Sequence, residues 1–143
     1  VARSLTKVFG LPGIRAGYLV ATGRLRDRLD TARISWGLST VAAEVSTHCL
    51  GQSAFVERTR ERIATERERI RERLETRWEV YPSQAPFLLV DAGEEDVDEI
   101  LSTARERGVA LRDARTFPGL DDHLRTAVRG PRDNDVLLEA LGV

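Results

Sequence analysis

The sequence has no methionine, one cysteine, two histidines and a single lysine. The lone Cys49 excludes an internal disulfide and suits a reducing cytoplasm; in its Ala/Val-rich surroundings a buried structural thiol is expected. His48 and His123 are too few and too isolated for a metal site, and His123, beside Asp122, is expected in a surface turn. No apolar run is long enough to span a bilayer and no signal peptide opens the chain, so no membrane role is expected. A net charge of -1 over 143 residues supplies no basic field for nucleic acid. The missing methionine, with Val1 as the first residue, leads to the expectation of a chain whose N-terminal part is absent.

The scarcity of lysine is the most informative absence. Of 22 basic residues, one is Lys7 and the other twenty-one are arginine. Arginine can replace lysine in salt bridges and on helix surfaces. It cannot form a Schiff base, because the guanidinium stays protonated and is a poor nucleophile. Lys7 is therefore a candidate for amine chemistry, against the plainer reading of one surviving surface lysine, and its neighbours decide between them.

Periodicity gives a coarse map. Val1–Ala2 fits the end of a buried strand, Ser4 to Lys7 a turn, and Gly17 to Ala21 a short apolar strand. Arg24 to Thr31 fits a short helix with Leu25 and Leu29 at i, i+4, and Thr40 to Leu50 a helix buried on several sides. Ser53 to Trp78 carries Phe55, Val56, Thr59, Ile63, Ile70, Leu74 and Trp78 at helical spacing, predicting one helix of about seven turns. The rest of that segment is Arg and Glu, expected to form a solvated face laced with i, i+4 pairs. Beyond Pro82 the pattern is β-α-β-β-α: strand Phe87–Val90, helix Glu95–Arg107 closed by Gly108, strands Val109–Leu111 and Leu124–Val128, and helix Asp133–Leu141 through Val136, Leu137, Ala140 and Leu141. That order describes a small α+β domain.

Chemistry-bearing residues are densest around Lys7. Ser4, three positions before it, offers a hydroxyl on the same side of a turn, and Arg15, eight after, can return a guanidinium across a loop containing Gly10 and Gly13. A phosphorylated aldehyde cofactor needs such a set: an amine for the carbonyl, hydroxyl and cation for the phosphate. Ser-x-x-Lys followed by Phe-Gly-Leu-Pro-Gly-Ile-Arg-Ala-Gly-Tyr resembles the cofactor-lysine segment of fold-type I pyridoxal-phosphate (PLP) enzymes. Within that superfamily all 143 residues resemble the histidinol-phosphate aminotransferase and threonine-phosphate decarboxylase group. The resemblance implies an α/β PLP-transferase fold. Residues 1–52 would end the large domain, 53–80 form an interdomain helix and 81–143 make the small domain. It implies that Lys7 binds PLP covalently and shuttles the proton, that Ser4 and Arg15 hold its phosphate, and that the full-length protein is a cytoplasmic homodimer. The partners of the cofactor ring would lie upstream of Val1, so this chain alone is expected to be inactive.

Gly119 to Arg129 is the second informative segment. Arginine inside a strand is costly unless it meets an anion. Arg125 matches the family residue that clamps the substrate α-carboxylate, and Arg112 one that meets a distal substrate phosphate, with Arg115 and Arg129 close enough to compete. Ser83-Gln84-Ala85 is followed by Pro86 and Phe87 where the family usually has asparagine and an aromatic, which weakens any carry-over of substrate contacts from that loop. Trp36, the turn Phe117 to Asp121 and the ending Ala127-Val128-Arg129 resemble the corresponding decarboxylase segments more than those of the aminotransferases, which implies a decarboxylase of threonine phosphate, in cobalamin biosynthesis. The alternative is an aminotransferase acting on histidinol phosphate, in histidine biosynthesis. A remote third reading is a non-catalytic helical interaction module built on Ser53 to Trp78.

Overall fold

The computed structural model describes residues 1–143 and resolves into two compact units, Val1–Thr59 and Arg60–Val143. The division falls inside the long helix α4, Ser53–Leu74.

In the first unit, strands β1 (Ala2–Ser4) and β2 (Gly17–Leu19) form an antiparallel ribbon with Ser4 opposite Gly17. The one-turn helix α1 (Leu5–Val8) and a 3₁₀ turn (Pro12–Ile14) bridge them. Gly10 adopts φ +62°, the left-handed region that lets α1 stop and reverse. Its N–H donates to the Lys7 carbonyl at 3.1 Å, and that of Leu11 to Thr6 at 3.1 Å. Buried Leu5 and Ala16 lie under the bridge, with the Leu5 N–H donating to the Ala16 carbonyl. Val1 and both strands are exposed, so the expected buried strand end at Val1–Ala2 is not found in this two-stranded ribbon, and β2 stops at Leu19 rather than Ala21. Helix α2 covers Gly23–Ala32, and α3 covers Thr40–Leu50 behind Ser39, whose Oγ accepts from the Ala42 N–H. Cys49 is buried as expected, but Ala42 is the only other buried residue of α3, so burial on several sides is not found within this unit.

The second unit is an antiparallel four-stranded sheet in the order β3-β4-β6-β5, from β3 (Glu79–Val80), β4 (Phe87–Asp91), β5 (Arg112–Asp113) and β6 (His123–Ala127). Helix α5 (Val97–Glu106) carries the chain from β4 to β5, which run parallel because both oppose β6 in the slot between them. Helix α6 (Pro131–Leu141) closes the unit. The alternation of each strand assigns its faces. Leu88, Val90 and Leu124 are fully buried in a core with Ile70, Leu74, Ile100, Ala104, Leu137, Leu138 and Leu141. The opposite, open face therefore carries Phe87, Leu89 and Asp91 of β4 and His123, Arg125 and Ala127 of β6.

Differences from the sequence reading have local causes. Helix α4 ends at Leu74 rather than Trp78, because Thr76 Oγ1 and the N–H groups of Arg77 and Trp78 take the last carbonyls. Trp78 is still buried, its indole N–H donating to Glu95 at 2.9 Å. Helix α5 starts at Val97, where Asp96 caps the Asp98 N–H at 2.8 Å. The strand expected at Val109–Leu111 forms at Arg112–Asp113, and β6 begins one residue early, at His123. Val136 is exposed, while Asn134 is buried on α6. The Arg/Glu face of α4 is paired at i, i+3 (Arg69–Glu66, Arg71–Glu68) as well as i, i+4 (Arg71–Glu75). No helix is long and apolar enough to cross a membrane.

Candidate functional site

Ser4 and Arg15 are brought together where β1 leaves its ribbon. They line one open cleft of about 440 Å³ with Ala2, Arg3, Thr6, Ala16 and Gly17. Ser4 Oγ and Thr6 Oγ1 are 2.7 Å apart. Ser4 occupies the N-cap position of α1 without bonding its backbone, so both hydroxyls remain on the cleft. Arg15 holds φ +53°, an uncommon conformation for a side-chain-bearing residue, and its Nη1 donates to the Pro12 carbonyl at 3.0 Å. Neither Arg3 nor Arg15 is ion-paired. At Gly17 a Cβ would stand 2.6 Å from the Arg3 carbonyl oxygen, so only glycine permits this approach of β2 to β1. Two hydroxyls, two unpaired cations and a glycine-dependent close approach fit the phosphate of a cofactor such as PLP.

Lys7 lies on α1, exposed and without an ion pair, one residue beyond the cleft-lining Thr6. It does not itself line the cleft. The helical turn places the amine-bearing residue next to the hydroxyls but on a different part of α1. Thr6 and Arg3 were missed in the sequence; the signal for Thr6 was a second hydroxyl two residues after Ser4.

In the second unit, Arg125 and Arg112 are in direct register on β6 and β5, both on the open face. The Arg125 guanidinium lies 4.7 Å from the Phe87 ring centre, and that of Arg112 lies 5.9 Å from Phe117 while donating to Thr116 Oγ1 at 3.1 Å. Neither meets a carboxylate. The competitors are occupied. Arg115 bonds Asp98 at 2.5 Å and Asp113 at 3.0 Å, which together raise its pKa further above the usual arginine value, and Arg129 bonds Asp133 at 2.9 Å. Pro86 costs the sheet no needed donor: its carbonyl accepts from the Val128 N–H at 3.0 Å, and Phe87 beside it supports Arg125.

His123 overturns the expectation of a surface turn. It is 9% exposed, inside β6, with Nε2 3.2 Å from Tyr81 Oη. The two acidic residues before it suggested a turn, but pairing with Asp91 draws it into the ladder.

Comparison with known proteins adds the wider context. The family model for aminotransferase class I and II matches residues 1–141. Histidinol-phosphate aminotransferase 2 of Archaeoglobus fulgidus is 41% identical over 144 residues, covering 99% of this chain and 41% of the relative. Threonine-phosphate decarboxylase of Salmonella typhimurium is 32% identical over 145 residues, covering 99% and 40%. The crystal structure of the histidinol-phosphate aminotransferase from Clostridium acetobutylicum superposes with a TM-score of 0.89 at 25% identity, covering 98% of this chain and 43% of that one. The chain thus spans about two fifths of the length of the curated relatives it matches.

Proposed function

This chain belongs to the aminotransferase class I and II family, and we propose that it is part of a PLP-dependent enzyme acting on an amino compound that carries a phosphate. The observation that carries this reading is the cleft shared by Ser4, Thr6 and Arg15, one residue from an unpaired lysine. When bound, PLP supplies an electron sink that weakens the bonds at the amine-bearing carbon of the substrate. Lys7 Nζ would hold the cofactor and would be the group that moves the substrate's proton. The hydrogen-bonded pair Ser4 Oγ and Thr6 Oγ1 would present a hydroxyl donor to the cofactor phosphate, and the Arg15 guanidinium would neutralise its charge. Arg125 would receive the carboxylate of O-phospho-L-threonine or 2-oxoglutarate and Arg112 the phosphate of the phosphorylated substrate, L-histidinol phosphate offering a phosphate alone, while Arg115 and Arg129 keep their internal carboxylates.

Transamination is the first reading, supported by the higher identity to a histidinol-phosphate aminotransferase, 41% against 32% for the decarboxylase. Decarboxylation is the second, supported by Trp36, the turn at Phe117 to Asp121, and Ala127-Val128-Arg129. Incubating the intact PLP-loaded enzyme with two substrate mixtures separates them. Glutamate formed from 2-oxoglutarate and L-histidinol phosphate supports the first; carbon dioxide released from O-phospho-L-threonine without 2-oxoglutarate supports the second. Turnover of neither would count against the substrate class. The intact protein is expected to be a homodimer, which light scattering tests.

A further inference from the structure

A row of side chains crosses the open face of the second unit at one level: Tyr81, Leu89, Arg125 and Arg112. The Tyr81 N–H donates to the Leu89 carbonyl at 3.0 Å, continuing the β3–β4 ladder by one residue. Leu89 is in register with Arg125, and Arg125 with Arg112. Tyr81 and Arg125 are thus two strands apart, a backbone separation of about 10 Å, with Leu89 as an apolar floor between them. Two long polar side chains rooted at that separation can both reach a small ligand lying above Leu89.

The hydroxyl of Tyr81 is oriented by a histidine whose proton position follows from its surroundings. His123 Nδ1 is buried and has no hydrogen-bond partner. A proton placed there would be a buried donor with nothing to receive it, which costs more than a buried lone pair. His123 Nε2, in contrast, faces two oxygens: Tyr81 Oη at 3.2 Å and Asp91 Oδ2 at 3.8 Å. Both surroundings place a ring proton on Nε2, from which it is donated to Tyr81 Oη. Tyr81 Oη is then an acceptor toward His123, and its own proton is left to donate elsewhere. No protein acceptor takes it. Tyr81 is 37% exposed, so this donor opens onto the solvent side of the sheet. His123, held within the strand with Nδ1 unpartnered, therefore fixes the direction in which the Tyr81 phenol donates.

We propose that Tyr81 is a further ligand contact on the Arg125 face, donating its hydroxyl hydrogen bond to an anionic oxygen of the substrate, and that His123 is the positioning residue that directs it. This rests on the reading that Arg125 meets an anionic substrate, and it adds a donor that rewards an acceptor oxygen at one defined place. Substrates lacking that oxygen would leave the phenol unsatisfied and bind less well.

Two measurements on the intact PLP-loaded enzyme test it. Nitrogen-15 NMR of the His123 ring should show a proton on Nε2; a ring carrying its proton on Nδ1 alone would overturn the proposal. In steady-state kinetics with L-histidinol phosphate or O-phospho-L-threonine, whichever is turned over, Tyr81→Phe should raise KM about tenfold with kcat within twofold. His123→Gln, whose side-chain amide keeps a donor near Nε2, should retain most of the wild-type KM, while His123→Leu should reproduce the Tyr81→Phe effect without adding to it. A lowered melting temperature with unchanged KM would make the pair merely structural and sink the idea. If Tyr81→Phe is silent while Arg125→Gln raises KM, the Tyr81 contact is wrong and the substrate reading stands. If neither substitution changes KM, the substrate reading itself has failed.

Discussion

Arg112 and Arg125 stand directly opposite one another on neighbouring strands, and neither is neutralised by a carboxylate. Like charges in such a cross-strand pair repel, so an isolated sheet gains nothing from this arrangement. It becomes favourable when anions arrive. Each guanidinium has its own aromatic neighbour, Phe87 for Arg125 at 4.7 Å and Phe117 for Arg112 at 5.9 Å.

Substituting these arginines should therefore affect substrate use much more than folding. Arg125→Gln is expected to lower kcat/KM about a hundredfold, the usual cost of removing one partner of a charge-assisted pair. Arg112→Gln should raise KM for the phosphorylated substrate and have much less effect on a dephosphorylated analogue. Arg115→Gln and Arg129→Gln should leave KM within about twofold, because both side chains answer internal carboxylates; steady-state kinetics on the four variants decides the matter.

Gly17→Ala should disturb the cofactor cleft from its backbone side. The added methyl meets the Arg3 carbonyl oxygen, which belongs to the β1 main chain and has little freedom to withdraw. The ribbon must open, separating Ser4 from Arg15. Titration with PLP is expected to show weaker binding, with the melting temperature of the cofactor-free protein falling less than that of the loaded form.

Asn134 locks the second unit around the end of β6. Its side chain accepts from the Arg129 N–H at 2.9 Å and donates to the Arg129 carbonyl at 3.1 Å and to Glu66 at 2.7 Å. Asn134→Ala leaves Glu66 and the Arg129 backbone without these partners and should cost about 2 kcal/mol in denaturant unfolding.

Glu66 makes the same network sensitive to acid. Its hydrogen bonds from Arg69 and then Asn134 hold its carboxyl below the usual value of 4.5. A carboxylate with a lowered folded pKa stabilises the fold above its unfolded pKa, and that contribution is lost as the pH falls through the folded value. Asp98 and Asp113, held below 3.8 chiefly by hydrogen bonds from Arg115, act in the same direction. The melting temperature should be level near neutrality and fall from about pH 4.5 downward, and Glu66→Gln should make that acid limb shallower.

The cofactor segment was legible from sequence because its evidence is local: one lysine, a hydroxyl three residues before it, and glycines that serve the turn at Gly10 and the close approach at Gly17. The Arg125 strand was legible because charge inside an apolar alternation stands out. What escaped depends on contacts distant in sequence. His123 follows two aspartates that signal a turn, and only pairing with Asp91 places it in a strand. Glu66 and Asn134, 68 residues apart, look like ordinary surface residues until their side chains meet. Trp78 has helical spacing from Leu74, yet its indole bond to Glu95 belongs to a turn. That Arg115 and Arg129 are ion-paired likewise depends on the positions of Asp98, Asp113 and Asp133.

Because the chain spans about two fifths of its relatives, residues 1–143 expressed alone are expected to show no turnover with either substrate mixture. Product assays at high protein concentration check this directly.

We propose that Lys7 carries the cofactor. Borohydride reduction of the intact PLP-loaded protein, followed by proteolysis and mass spectrometry, should find the phosphopyridoxyl group on the peptide containing Lys7. The same procedure on Lys7→Arg should yield no labelled peptide and no visible cofactor band. Label on a different lysine of the native protein, or a band that survives in Lys7→Arg, would contradict the account.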